Sequence, residues 1–278
     1  GILGDVAAAV ADTLVGVAVA PATLPRPLGW GELDEDPQGV LRFASIFFDA
    51  YLNAQLDADL DTEFSLLCAA AYYIAGNVGS ATVIIRHMAA PDLGLAGGLG
   101  HLVYNILKNS FFPIDGPHAH QAVTNQLLQA LGGYFSFEAE TGDIAEVCRA
   151  FRGYFHRSGS PRELFYSDVV GALCALKLRN AARTILPTAS GMAPDIWRPA
   201  LAKPLFPIEL WPAQQRIADA GVFAGRSVVI QMPTSAGKTR ATEIIIRSAF
   251  LSGRAHLAVI VAPYRSLCHD IRGDLVTA

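Results

Sequence analysis

Residues 227–239, SVVIQMPTSAGKT, constrain this chain more than any other stretch. A β-branched apolar run at 227–231 enters a loop of small and turn-forming residues, and the loop opens into helical spacing over 238–251. A second apolar run follows at 256–262, after Gly253. Strand, loop, helix, strand in that order predicts a βαβ unit with a parallel pair. Both runs are apolar on consecutive residues, the pattern of strands covered on both faces.

The loop itself reads MPTSAGKT over 232–239, which departs from G-x-x-x-x-G-K-[ST] only where Met232 stands in place of the first glycine. Gly237 permits close backbone approach, and the amides from Ser235 to Thr239 can converge on a β-phosphate at a helix N-terminus. Lys238 reaches the β and γ oxygens, and Thr239 offers its hydroxyl to Mg²⁺. Thr234, Ser235 and Ala236 complete the lining. Lys238 and Thr239 are thus the expected catalytic pair of a nucleoside triphosphate site.

The rest of the chain follows a different grammar. From Asp36, with Pro37 in the tolerated first turn, helical patterns succeed one another: 36–56, 62–75, 81–89, 96–108, 118–131, 143–156 and 161–185. Gly, Pro and Asn signals separate several of them, and no fixed repeat period emerges. Residues 186–206 are rich in Pro, Ala and Gly, with Trp197 as an expected packing anchor. The expected fold is mainly α: an all-α domain over 1–190, a linker over 191–206, and a second domain from 207 to 278.

Composition narrows the function classes. The apolar stretch at 6–24 is interrupted by Asp12 and closed by Pro21, short of the roughly 20 apolar residues a bilayer span requires. No membrane role is expected. Cys68, Cys148, Cys174 and Cys268 form no CxxC pair, so buried thiols in a reducing cytoplasm are expected. His118 and His120 are two apart but lack further donors nearby in sequence, and are read as surface or capping residues. Tyr72, Tyr73, Phe111 and Phe112 are read as core. Residues 1–176 hold 19 acidic and 8 basic side chains, whereas 177–278 hold 6 and 13. The phosphate loop lies in the basic part, which suits a polyanionic partner such as DNA or RNA.

Around the loop the sequence resembles superfamily 2 helicases. PIELWPAQQ precedes it, with Gln214 at the position of a P-x-Q element whose glutamine reads the adenine edge in that superfamily. PTSAGKT without a first glycine resembles the Ski-like branch of DExH-box helicases, and GKTRATE puts Glu243 at that branch's acidic position. Downstream, VIVAPYRSLCHDI resembles motif Ia, whose counterparts here are Pro263, Tyr264, Arg265, Ser266 and Leu267. The resemblance covers 207–273. It implies ATP and Mg²⁺ as ligands, a RecA-like α/β domain, and single-stranded DNA or RNA held by Pro263, Tyr264, Arg265 and Ser266. It also implies that the chain stops inside the first RecA-like domain, so that the 278 residues alone are expected to be catalytically inert. Three functions are open: an ATP-driven helicase or translocase; a helicase-like ATPase that controls an effector such as a nuclease in antiviral defence, with the helical domain as its docking surface; and an interaction module in which the helical domain is the functional part.

Overall fold

The computed structural model describes residues 61–273 apart from 140, 204, 233–236, 266, 267 and 270, together with Ile46. The expected helix at 36–56 therefore lies outside the described residues except for Ile46, which is helical and exposed. The chain divides into two units, Gly1–Leu178 and Arg179–Ala278.

The first unit is built of α1 (Asp61–Ile74), α2 (Val78–His87), a 3₁₀ turn (Leu95–Gly98), α3 (Leu99–Lys108), α4 (Gln121–Phe135), α5 (Thr141–Ser158) and α6 (Pro161–Arg179). Leu66, Leu102, Ile106, Leu127, Leu131, Phe155, Val170 and Leu173 are among its buried core residues. α6 begins with a capping box: the Ser160 amide donates to Glu163 Oε2 at 2.7 Å, and the Glu163 amide to Ser160 Oγ at 3.3 Å. Pro161 takes the first helical position, where no amide is needed.

Nearly every residue of α6 from Tyr166 to Leu178 is buried, including Asp168 and Lys177. Charges taken out of water need partners. Arg152 Nε of α5 donates to Asp168 Oδ1 at 2.5 Å, while Asp168 Oδ2 has no hydrogen-bond partner. Burial pushes the Asp168 carboxyl up, against the pull of Arg152. Lys177 Nζ donates to Asn109 Oδ1 at 2.6 Å and stands 4.6 Å from the Tyr73 ring centroid. Glu63 of α1 joins α6 twice, accepting from Arg162 and from the Tyr166 hydroxyl. Burial and the Glu63 carboxylate hold that phenol well above its ordinary value.

Both expected surface or capping histidines are tied into this unit. His120 precedes α4, with Nε2 2.6 Å from Glu163 Oε1 and Nδ1 3.3 Å from the Tyr154 hydroxyl. His118 Nδ1 lies 3.1 Å from the Gly116 carbonyl, and Nε2 lies 2.8 Å from Thr124 Oγ1. All four ring nitrogens are engaged, and no cluster of three metal-ligating side chains occurs among the described residues. Two expectations fail locally: Phe112 is 78% exposed rather than core, and Cys268 is exposed while the other three thiols are buried. Phe112 follows Phe111, which stacks on Phe135; a loop can turn one of two neighbouring rings inward and leave the other out.

The second unit starts where the expected 161–185 helix breaks. Ala181 is extended and forms an antiparallel bridge with Glu209, fixed by the Ala182 amide on the Ile208 carbonyl (2.9 Å) and the Leu210 amide on the Asn180 carbonyl (2.8 Å). α7 (Ala182–Ser190) and α8 (Pro194–Leu201) follow, so the expected linker carries a helix. Trp197 of α8 is fully buried and donates its indole N–H to Ser190 Oγ at 2.9 Å. α9 (Pro212–Asp219) and α10 (Lys238–Leu251) come next, and Leu186, Trp197, Phe206, Leu210, Ile217, Phe223 and Ile244 share one core. Pro at the first position starts both α8 and α9.

The expected strands at 227–231 and 256–262 are not formed: among the described residues no β-ladder pairs them. Val229 is 100% exposed and Val261 90%. A strand exists only through its neighbours' hydrogen bonds, and β-branched composition cannot supply a neighbour. The helix between the two runs forms over the expected range, because helical bonds are local. No helix among the described residues is long and apolar enough to cross a membrane.

Replacing Arg152 by Met leaves the Asp168 carboxylate buried without its cation and is expected to cost about 3–5 kcal/mol of unfolding free energy. Adding Asp168→Leu to Arg152→Met should recover most of that loss, which urea unfolding of the single and double variants will measure. Glu163 behaves differently: burial would raise its carboxyl, but His120 and the Ser160 groups outweigh burial and hold it below its ordinary value. Its contribution is therefore present at neutral pH and lost as pH falls through that lowered value. Glu163→Gln should flatten the acid limb of a stability-versus-pH curve; an unchanged limb would show the pair to be thermodynamically silent.

Candidate functional site

The site is assembled at the start of α10. Gly237 precedes the helix in the left-handed region (φ 80°, ψ 39°), a conformation that costs any L-residue with a Cβ. The first intrahelical bond is Ala241 N–H to the Gly237 carbonyl at 3.0 Å. The amides before it have no intrahelical acceptor, and Gly237 supplies no side-chain cap. They face outward with the positive end of the helix dipole. Lys238 is exposed at the first helical position and Thr239 is half-buried beside it. This arrangement fits a phosphate with its Mg²⁺: a residue with a cation, one with a hydroxyl and amides without intrahelical acceptors share the first turn of one helix. Bound Mg²⁺ would neutralise phosphate charge, and Lys238, Thr239 and the first amides of α10 would bind and orient the phosphates. Thr234, Ser235 and Ala236 lie outside the described residues.

Behind Gly237 stands α9. Gln214, its third residue, is 2% exposed. Its Oε1 accepts the Trp211 amide at 2.9 Å, and its Nε2 donates to the Gly237 carbonyl at 3.4 Å. An indole offers no acceptor, so Trp211 takes part in this cap only through its backbone. A Cβ on Gly237 would sit 2.8 Å from Gln214 Nε2 and 3.7 Å from Trp211 Cε3. Gln214 and Gly237, 23 residues apart, are thus brought into contact.

Within α10, Glu243 is 3% exposed. Arg240 Nη1 donates to one of its oxygens at 2.8 Å and Arg247 Nε to the other at 2.9 Å. The Arg247 guanidinium also lies 5.6 Å from the centroid of the Phe206 ring. Further along, Ser248 Oγ and Arg254 Nη2 both donate to the Phe223 carbonyl, at 2.5 and 2.7 Å, fixing the turn before residue 226 to α10. Arg240, Arg247 and Trp211 were not singled out from sequence. The signal for Trp211 was present, since proline at the first position and glutamine at the third mark a capped helix start.

Of the residues expected at the nucleic-acid backbone, Pro263, Tyr264 and Arg265 are exposed, Tyr264 at 71%. The Cys268 amide donates to the Tyr264 carbonyl at 3.2 Å, one helical step. Ser266 lies outside the described residues.

Gly237→Ala puts a Cβ into left-handed backbone and against the Gln214 amide. It is expected to cost about 1–2 kcal/mol of stability and to weaken nucleotide binding. Thermal unfolding and nucleotide titration of the variant test both.

Residues 211–277 match the family model described as DEAD/DEAH box helicase. The chain is also 33% identical over 67 residues to Hachiman protein HamB of Bacillus cereus, a stretch that is 24% of this chain and 6% of that protein. The chain thus matches only a small part of the length of that curated relative. No solved structure matches the chain. The family match supports a superfamily 2 helicase relationship for residues 211–277.

Proposed function

We propose that this chain contributes the nucleotide-binding part of an ATP-dependent helicase or translocase of superfamily 2, of the Ski-like branch. The observation that carries the reading is the exposed Lys238 on an uncapped helix N-terminus directly after left-handed Gly237. Lys238 holds the β and γ oxygens of ATP, Thr239 takes Mg²⁺, and the loop of Thr234, Ser235 and Ala236 wraps the phosphates. Pro263, Tyr264, Arg265 and Ser266 hold the backbone of single-stranded DNA or RNA, in keeping with the exposure of Pro263, Tyr264 and Arg265 and the basic balance of this part of the chain. Recognition of that kind tolerates sequence.

Similarity to Hachiman protein HamB favours a second reading. In it the ATPase senses nucleic acid and switches a partner effector, such as a nuclease in antiviral defence, and the helical unit is the docking surface. Localisation in the cytoplasm accords with either reading.

The test is the ATPase rate of the intact protein with and without single-stranded DNA and RNA. Stimulation by one polymer, abolished by Lys238→Ala, is the expected result. No stimulation by either polymer would sink the motor reading. ATP use without strand separation, together with a co-purifying effector, would favour the switch.

A further inference from the structure

We propose that Cys148 and Cys174 form a site of oxidative modification, at which a hydroperoxide converts two thiols into a disulfide that locks α5 onto α6. The site lies in the first unit and is independent of the phosphate-site reading. Cys148 belongs to the inward stripe of α5, with Ile144, Phe151 and Phe155 at helical spacing, all of them buried. Cys174 lies in the stretch of α6 where nearly every residue is buried. Only Gly159 and Ser160 separate the two helices. The Arg152–Asp168 ion pair spans them, and farther from the connecting turn the Cys174 thiol is hydrogen-bonded to the Cys148 sulfur. Two contacts that run backward along α5 and forward along α6 make this hairpin antiparallel. They hold the two thiols side by side in the folded chain.

Exposure sets the order of events. Cys148 is 6% exposed and Cys174 0%, so of the two only Cys148 has an edge that a small peroxide can reach. The Cys148 sulfur gives its proton to solvent and attacks one peroxide oxygen; the O–O bond breaks, and the other oxygen leaves as water or an alcohol. Cys174 then attacks the sulfenic acid so formed. The S–S bond forms as the S–O bond breaks, and the Cys174 proton leaves with that oxygen as water. Two thiols are oxidised and one peroxide is reduced. The hydrogen bond to Cys148 and burial hold the Cys174 thiol well above its ordinary value, so Cys174 remains the donor of the pair until the second step. Lys177, one turn farther along α6, acts on Cys174 in the opposite sense and supplies positive charge as that sulfur loses its proton. A buried thiol alone is inert; a second thiol in contact is what lets the first oxidation step end in a reversible bond. In a reducing compartment such a bond is transient, which suits a sensor and not a permanent staple.

Peptide mapping by mass spectrometry tests this on the 278-residue chain, treated with hydrogen peroxide in its folded state, then denatured and alkylated before digestion. The expected product joins the Cys148 peptide to the Cys174 peptide with the loss of two hydrogens. Dithiothreitol should reverse it, and the linked chain should unfold at higher urea than the reduced one. Cys68, equally buried, should remain reduced, while exposed Cys268 reports that the oxidant was active. Cys174→Ala should abolish the link and carry Cys148 on to sulfinic acid, and Cys148→Ala should leave Cys174 reduced. The proposal is overturned if both thiols stay reduced at a peroxide dose that has oxidised Cys268. It is equally overturned if the native chain carries Cys148 to sulfinic acid with Cys174 untouched, or if either thiol links to Cys68 or Cys268 instead. The map of the native chain gives the answer even where neither variant folds.

Discussion

The carbonyl of Gly237 accepts two hydrogen bonds, one from Ala241 that opens α10 and one from Gln214 that ties this end to α9. Everything proposed for the phosphate end depends on that atom. A helix N-terminus can grip an anion only if its first turn is held still and its amides are left unspent. Capping by a side chain would hold the turn but consume the amides. Gly237 resolves the conflict: it caps with nothing, adopts the left-handed geometry the turn requires, and is fixed through its carbonyl, on the side away from the donors.

The remainder of the second unit makes that fixation meaningful. α10 is anchored by apolar burial of Ala241 and Ile244, by the Arg247 guanidinium over the Phe206 ring, and by Ser248 on the Phe223 carbonyl. Glu243 is nearly removed from solvent, where a carboxylate without cations would destabilise the helix, so Arg240 and Arg247 act as a pair. Arg240 thereby spends its guanidinium on Glu243, and at the first turn Lys238 remains the exposed cation.

Legibility in sequence followed the range of the interaction concerned. α10 was predicted over its full extent, because periodicity and the closing residues are local signals. The break between α6 and α7 was missed. It depends on Ala181 pairing with Glu209, a contact 28 residues away that leaves no mark in the spacing of apolar residues. The runs at 227–231 and 256–262 show the converse. Composition reports what a segment would do beside a partner, and these segments have none among the described residues. At the site, GKT is the signal for the phosphate chemistry proposed for Lys238 and Thr239, which the structure places in the first turn of α10. That the Gln214 amide is turned onto Gly237 was not readable, since the residue type fits a base reader and a helix cap equally well.

The first unit stands outside the family match, which covers residues 211–277. Its own energetics give it a different character. Asp168, Arg152 and Lys177 are buried, and Asp168 keeps one oxygen without a partner. Apolar residues of the same shape would cost less, so these groups are hard to account for by stability. A buried ion pair between α5 and α6 does, however, fix which residues of the two helices face each other, because any slip of register strands a charge. A surface that must be presented unchanged to a partner benefits from such fixing. That is the physical sense in which a docking role for the helical unit, carried by the second functional reading, is compatible with how the unit is built.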